Sequence, residues 1–307
     1  MVYVIIGMST HPTLEPTAPE GRHMSEDRTS GNPSDAKVAF ITGVARGQGR
    51  SHALHFARAG VAVIGLDICG QVDSVDYPMS SELDLADTVA EVEAAGGRIL
   101  ARVGDVRNLD DVESALRDGV AAFGRLDYVV ANAGIMPIWG RYANTMQSWQ
   151  DCLDVILTGV LNTIEASYPI LVEQGAGGSI VITGSMAAVQ PMMRTLDGHT
   201  LGLLGYSAAK AALVNLSENY ASALAGHGIR VNIVHPTGVA TPMIENDMCR
   251  SRFDNANPED LKTIVNALPT DKVQPRDVSE LVVWLCSDRS RYLTGGAIRV
   301  DAGAKLR

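Results

Sequence analysis

The chain has 307 residues, 46% of them hydrophobic, enough to bury a large core in one α/β domain or two small ones. A formal net charge of −10 and an isoelectric point near 5.1 argue against nucleic acid or an anionic membrane surface as a partner. Four scattered cysteines (Cys69, Cys152, Cys249, Cys286) show no CxxC or zinc spacing and read as free thiols of a reducing cytoplasm, and no apolar run approaches the ~20 residues of a membrane span.

Residues 2–7 are apolar but too few for a signal core, and 10–35 are rich in Pro, Thr, Ser, Glu and Asp. Residues 1–35 are therefore expected to be a disordered extension, with Met24 as an alternative start, and 36–307 a single folded domain. Order begins with an apolar strand at 38–42. It runs into Thr42-Gly43-Val44-Ala45-Arg46-Gly47-Gln48-Gly49 and then a helical pattern through Ala53, Leu54 and Ala57. A glycine-rich turn between strand and helix lets backbone N–H groups close on a pyrophosphate at the positive end of the helix. Such a turn alone is a weak signal, since ordinary loops carry glycines. Here the next strand, 61–66, ends in Asp67, the distance downstream at which a carboxylate holds a ribose diol.

Residues 69–83 read as an inserted loop. A helix at 85–95 ends at Gly96-Gly97, and strand 98–103 closes on Gly104-Asp105-Val106. Helix 109–123 precedes strand 126–131 and Asn132-Ala133-Gly134. A long amphipathic helix at 149–173 leads to strand 179–183 and Gly184-Ser185. A helix at 206–225 is expected to start at the break made by Gly205. Strand 229–234, an irregular stretch to Pro258, helix 276–287 and strand 297–300 complete the chain. Apolar strands alternating with helices specify a doubly wound parallel sheet of Rossmann type, covered on both faces.

Tyr206 and Lys210 lie four residues apart, on one face of their helix. A phenol is a poor base at neutral pH, and a nearby ammonium stabilises its phenolate, which suits proton exchange with an alcohol. Chance spacing on an exposed helix is the plainer alternative, and the company this pair keeps weighs against it. His52 and His55 are three apart on the first helix but have no third ligand, so no metal is expected.

Thr42-Gly43-x-x-x-Gly47-x-Gly49, Asn132-Ala133-Gly134, Ser185, Tyr206-x-x-x-Lys210 and the Pro236 stretch, in this order, resemble the short-chain dehydrogenase/reductase family over Lys37 to the C-terminus. Gly47 through Ala53, the long loop after Asp67, and His235-Pro236-Thr237-Gly238 resemble its carveol dehydrogenase-like branch, which is associated with the redox cofactor mycofactocin.

The resemblance implies Tyr206 as acid/base, Lys210 as its partner and ribose ligand, and Ser185 as a hydrogen-bond partner of the substrate oxygen. Gly43, Arg46, Gly47, Gln48, Gly49 and Asp67 would hold the cofactor. Asp105 and Val106 would meet adenine, Asp105 being equally readable as a helix cap. Asn132, Ala133 and Gly134 would line the adenosine side, and Val239 and Thr241 would meet the carboxamide.

NAD is expected over NADP, because Asp67 would repel a 2′-phosphate even though Arg46 could pair with one. The resemblance further implies tightly held NAD, an external electron acceptor and a homotetramer built on helices 149–173 and 206–225. Outward apolar residues such as Leu157, Val160, Leu161 and Ile164 fit that assembly. Met192, Met193, Met243, Met248 and Phe253 suit either core packing or an adaptable apolar pocket.

Three departures stand out. Thr237 replaces a usual glycine, the 185–206 loop is long, and Ile156 stands where the family carries a relay asparagine. The expected activity is hydride exchange between a small apolar secondary alcohol and NAD. The alternatives are an NADP-linked ketone reductase or a catalytically impaired NAD-binding sensor.

Overall fold

The structure, a computed structural model, describes residues 36–262 and 265–306. The expected extension 1–35 lies outside the described residues. Seven strands form one sheet: β1 (Val38–Thr42), β2 (Ala62–Asp67), β3 (Ile99–Val103), β4 (Tyr128–Ala131), β5 (Gly178–Thr183), β6 (Ile229–Pro236) and β7 (Ala297–Val300). All pair in parallel, in the order β3-β2-β1-β4-β5-β6-β7. The helices are α1 (Gly47–Arg58), α2 (Glu82–Ala94), α3 (Leu109–Phe123), α4 (Met146–Cys152), α5 (Gly159–Gln174), α6 (Leu201–Leu224), α7 (Asp247–Asn255), α8 (Pro258–Leu261) and α9 (Pro275–Cys286).

Every residue of β1, β2 and β4 is buried, which is why these strands read as unbroken apolar runs rather than alternations. One face packs on α1, α2 and α9 through residues such as Phe56, Val92, Val278 and Val282. The other packs on α3, α5 and α6 through Leu116, Ile164, Leu171 and Leu213. Strand order reverses between β1 and β4, and the carboxyl ends there open onto a crevice.

Several expectations need correction. Helix α6 does not start at Gly205 but at Leu201, where the Thr200 hydroxyl accepts the Leu203 N–H at 3.0 Å. Gly205 is buried inside the helix, and a Cβ there would lie 2.9 Å from Trp149 Cα and 3.0 Å from its carbonyl oxygen. The glycine is spent on close helix crossing, not on termination.

The helix expected at 149–173 begins at Met146 and is interrupted by π-helical hydrogen bonding over Leu153–Thr158. Such segments cluster at functional sites. Over Met146–Gln174 this helix is long and apolar enough to cross a membrane by length and composition, with a mean hydropathy of 1.5 over 18 residues. It is no unbroken apolar run, since Asp151, Asp154 and Glu165 interrupt it. The fold nonetheless buries 44% of that stretch, as befits a helix that covers a sheet.

Val160 and Ile164 belong to the sheet-facing stripe, whereas Leu157 is only partly buried and Leu161 is exposed. Loop 69–83 is well anchored. Val72, Val75 and Tyr77 are buried in the main core, and the Gln71 amide donates to the carbonyls of Val75 and Tyr77. The stretch expected to be irregular up to Pro258 carries α7, capped by Asn246, whose side chain accepts the Cys249 N–H at 2.9 Å.

Gly205→Ala separates the two roles of that glycine. A mere break in the helix would gain about 1 kcal/mol from alanine's propensity. A packing glycine loses on the order of 1–3 kcal/mol from overpacking. The melting temperature is expected to fall, and a rise in melting temperature would restore the break.

Candidate active site

The turn after β1 shapes the nucleotide end of the crevice. Gly43 and Gly47 have φ of 69° and 57°, a region that favours glycine. A Cβ on Gly49 would lie 1.9 Å from the Gly43 carbonyl oxygen, so α1 approaches the turn only with glycine there. No acidic side chain occupies the first turn of α1, leaving its positive end open to an anion. Gln48 Oε1 is buried without a hydrogen-bond partner. Such a cradle, with an orphaned acceptor beside it, fits a dinucleotide.

Asp67 is buried at the end of β2 and reaches back to the turn. Its Oδ2 accepts the Ala45 N–H at 2.8 Å, and Oδ1 accepts the Cys69 N–H at 3.1 Å and the Ser80 hydroxyl at 2.6 Å. Arg46 donates to the Pro78 carbonyl at 2.7 Å, across the insert rather than into open space. Arg50, which sequence reasoning passed over, binds the Ala45 and Asp84 carbonyls and the Thr88 hydroxyl, joining turn to α2. The crevice encloses about 880 Å³ and is lined by Gly43, Arg46, Gly47, Gln48 and Asp67, with Tyr77, Met79 and Ser80 of the insert along one side.

On the opposite side stand Asp105, Val106, Asn132, Ala133 and Gly134. Asp105 is not a helix cap: Asn108 caps α3, and the Asp105 carboxylate pairs with Arg107 at 2.5 Å. Asn132 ties strand ends together. Its amide donates to the Thr42 carbonyl at 3.0 Å, and its oxygen accepts the Thr183 hydroxyl at 3.2 Å. Thr241 lines the crevice beside Pro242 and Met243, whereas Val239 packs into the core under α1 and α9.

The fold brings Ser185, Tyr206 and Lys210 together. Ser185 follows β5, its hydroxyl accepts the Ala187 N–H at 3.1 Å, and it is near enough to Tyr206 to favour the phenolate. The backbone of Ser185 is backed by buried His235, whose Nδ1 lies 2.9 Å from its carbonyl and 3.2 Å from its amide nitrogen, so the tautomer decides which bond forms. Lys210 is buried and donates to the Thr183 carbonyl at 2.6 Å, with Nζ 5.9 Å from the centre of the Tyr206 ring.

Burial raises the Tyr206 pKa, with the Ser185 hydroxyl pulling the other way. The expectation that the lysine lowers it does not describe this geometry, because the ammonium is turned to Thr183. Burial also brings Lys210 down from 10.5 to about 8. Ile156, fully buried in the π-helical stretch, stands close by: a Cβ on Gly134 would lie 3.9 Å from both Ile156 Cγ1 and Lys210 Nζ. Its side chain neither donates nor accepts.

Tyr206 packs against an apolar cluster of Met136, Ile138, Leu203 and Cys249, with Trp139, Met192, Met193, Met243, Ile244 and Phe253 around them. Trp139 meets Phe253 edge-on, ring centres 5.2 Å apart. Met192, Met193, Met243 and Phe253 thus belong to this cluster, while Met248 packs against the main core. The 136–139 wall was missed, although the apolar run after Gly134 was its signal. His52 and His55 bind Ser279 and the Ser51 carbonyl, and the described residues contain no metal-binding group of His, Cys, Asp or Glu.

The depressed Lys210 predicts a pH-dependent stability. The unfolded lysine keeps its proton to about pH 10.4 and the folded one only to about 8. Between these values the unfolded state binds the extra proton, so stability rises with pH through that window. The stability difference between Lys210→Met and wild type should therefore move in favour of wild type from pH 8 to 10.5, by up to roughly 3 kcal/mol. Denaturant titrations giving a constant difference would refute a buried, depressed lysine.

A protein-family model described as "Enoyl-(Acyl carrier protein) reductase" matches residues 43–305. An uncharacterised oxidoreductase of Mycobacterium tuberculosis is 47% identical over 88% of this chain and 97% of its own. The (−)-trans-carveol dehydrogenase of Rhodococcus erythropolis is 39% identical over 89% of this chain and 99% of its own. Among solved structures, carveol dehydrogenase from Mycobacterium avium in complex with NAD is 39% identical, covers 89% of this chain and 99% of that one, and superposes with a TM-score of 0.80. Seven parallel strands, the glycine turn with its buried acid and the Ser185–Tyr206–Lys210 cluster agree with these likenesses, and the chain belongs to the short-chain dehydrogenase/reductase family.

Proposed function

We propose that this protein exchanges hydride between an uncharged, alicyclic secondary alcohol and NAD. One observation carries the reading: Tyr206 packs against an apolar cluster, Met243 belongs both to that cluster and to the lining of the nucleotide crevice, and we place the substrate chamber where the two meet. A substrate oxygen placed between Ser185 and Tyr206 leaves its carbon skeleton among methionines, Trp139 and Phe253. The relatives named as carveol dehydrogenases, one of them in complex with NAD, support the same class.

Bound nicotinamide would supply the hydride partner. The remaining chemistry belongs to the chain. Ser185 orients the substrate oxygen, and Tyr206 takes its proton in the oxidation direction or gives it in the reduction direction. Lys210, held by Thr183, provides a ligand for the ribose. Gly43, Gly47 and Gly49 accommodate the pyrophosphate, with Gln48 at hand for the cofactor, and Asp67 accepts from the ribose hydroxyls. A 2′-phosphate would face that carboxylate, and the Arg46 guanidinium that could offset it is turned to Pro78.

The anchored insert supports a cofactor that leaves slowly and passes its electrons to an external acceptor of the mycofactocin kind. The outward apolar residues Leu157 and Leu161 on the α5 side and partly buried Leu216 and Tyr220 on α6 support pairing of these helices in a cytoplasmic homotetramer. Ile156 beside Lys210 favours a second reading, an NAD-binding sensor in which proton exchange is blocked.

Two experiments test these readings. Protein purified without added nucleotide and then denatured should release NAD and not NADP. Released NADP overturns the role given to Asp67, and an empty protein that turns over briskly on free NAD overturns slow exchange. In single turnover on bound cofactor, Tyr206→Phe should slow alcohol oxidation by about 10²–10⁴-fold, while Ile156→Asn should leave it unchanged or faster. A wild type as slow as Tyr206→Phe across a broad alcohol panel, with NAD bound, promotes the sensor.

A further inference from the structure

The apolar chamber is walled by two separate segments. Met192 and Met193 come from the loop between β5 and α6, and Met243, Ile244, Cys249 and Phe253 from the segment after β6 that holds α7. Apolar contacts alone would let these walls slide, because methionine side chains adapt to many shapes. One carboxylate joins them. Asp260 on α8 accepts the Arg194 N–H at 2.8 Å and the Thr195 N–H at 2.9 Å on Oδ1, and the Thr195 hydroxyl at 2.6 Å on Oδ2. The loop is moulded around this group: a Cβ on Gly198 would lie 2.7 Å from Asp260 Oδ2. Asn257 adds a long contact to Asp197, at 3.5 Å.

Hydrogen bonds to an ionised acceptor are about twice as strong as neutral ones, so three on one carboxylate make a firm tie between the two walls. None of the bonded groups touches the Ser185–Tyr206–Lys210 cluster or the nucleotide crevice. The contact therefore bears on the shape of the chamber rather than on the chemistry.

We infer that Asp260 is a specificity-determining residue, latching the two walls so that the chamber fits compact alicyclic alcohols and disfavours larger ones. The inference rests on the alcohol-oxidoreductase reading for its substrate, but the latch itself is testable without turnover.

Trp139, packed on Phe253, reports on the closure. In a Trp149→Phe, Trp284→Phe background, acrylamide quenching of Trp139 fluorescence should rise at least twofold on Asp260→Ala, by less on Thr195→Val, and by an intermediate amount on Asp260→Asn, which keeps an acceptor oxygen. NAD affinity should stay within twofold in all three. With a series of cyclic secondary alcohols of increasing size, Asp260→Ala should raise KM for the smallest at least tenfold, leave kcat near wild type and shift kcat/KM toward larger rings. Unchanged quenching in Asp260→Ala and Thr195→Val overturns the latch whether or not the enzyme turns over. Raised quenching with an unmoved size preference overturns the specificity role. If Asp260→Ala does not fold, Thr195→Val decides both points. A wild type inert toward every alcohol defeats the proposed function, and quenching then decides the latch alone.

Discussion

The site depends on a chain of hydrogen bonds across the carboxyl ends of β1, β4 and β5. The Asn132 amide donates to the Thr42 carbonyl, its oxygen accepts the Thr183 hydroxyl, and the Thr183 carbonyl receives the Lys210 ammonium. The Thr42 hydroxyl in turn accepts the amides of Asn132 and Ala133. Each bond contributes about 1 kcal/mol net, yet losing one leaves a buried group unsatisfied at a cost of about 1–3 kcal/mol. The strand ends thus become one rigid platform. The glycine turn hangs from one end and Lys210 from the other, so both share a common frame.

Burial sets the electrostatics on that platform. It disfavours the charged form of both residues, raising Tyr206 and bringing Lys210 down to about 8. Both groups are therefore closer to neutral than their sequence spacing suggests. Ile156, fully buried in the π-helical stretch, adds an apolar side chain to the surroundings of Gly134 that Lys210 also reaches.

The insert and the chamber show how loops are recruited to a fixed scaffold. Loop 69–83 buries Val72, Val75 and Tyr77 and lends the Ser80 hydroxyl to Asp67, so a surface excursion becomes part of the crevice wall. The Tyr77 hydroxyl also accepts the Met136 N–H at 3.0 Å, which links the nucleotide side to the chamber side. Arg46 is bound up in the same excursion through Pro78. An arginine that could serve a phosphate by position is thereby committed to holding the loop.

Periodicity and motif order in the sequence determined the fold class, most strand positions, the glycine turn, Asp67 and the Ser185, Tyr206 and Lys210 cluster. These are legible because buried parallel strands must be continuously apolar and because phosphate-binding turns tolerate only glycine at positions of positive φ or close approach. Gly205 was misread because a glycine marks either a break or a close contact, and only the neighbouring Trp149 backbone tells them apart. Asp105 was ambiguous for a similar reason, since the cap belongs to whichever side chain reaches the first free N–H, here Asn108. The chamber wall at 136–139, the turn of Lys210 toward Thr183, the placement of Ile156 and the carboxylate of Asp260 joining two distant loops were decided only by tertiary structure. Each depends on groups far apart in the chain meeting in space, and no local pattern encodes such a meeting.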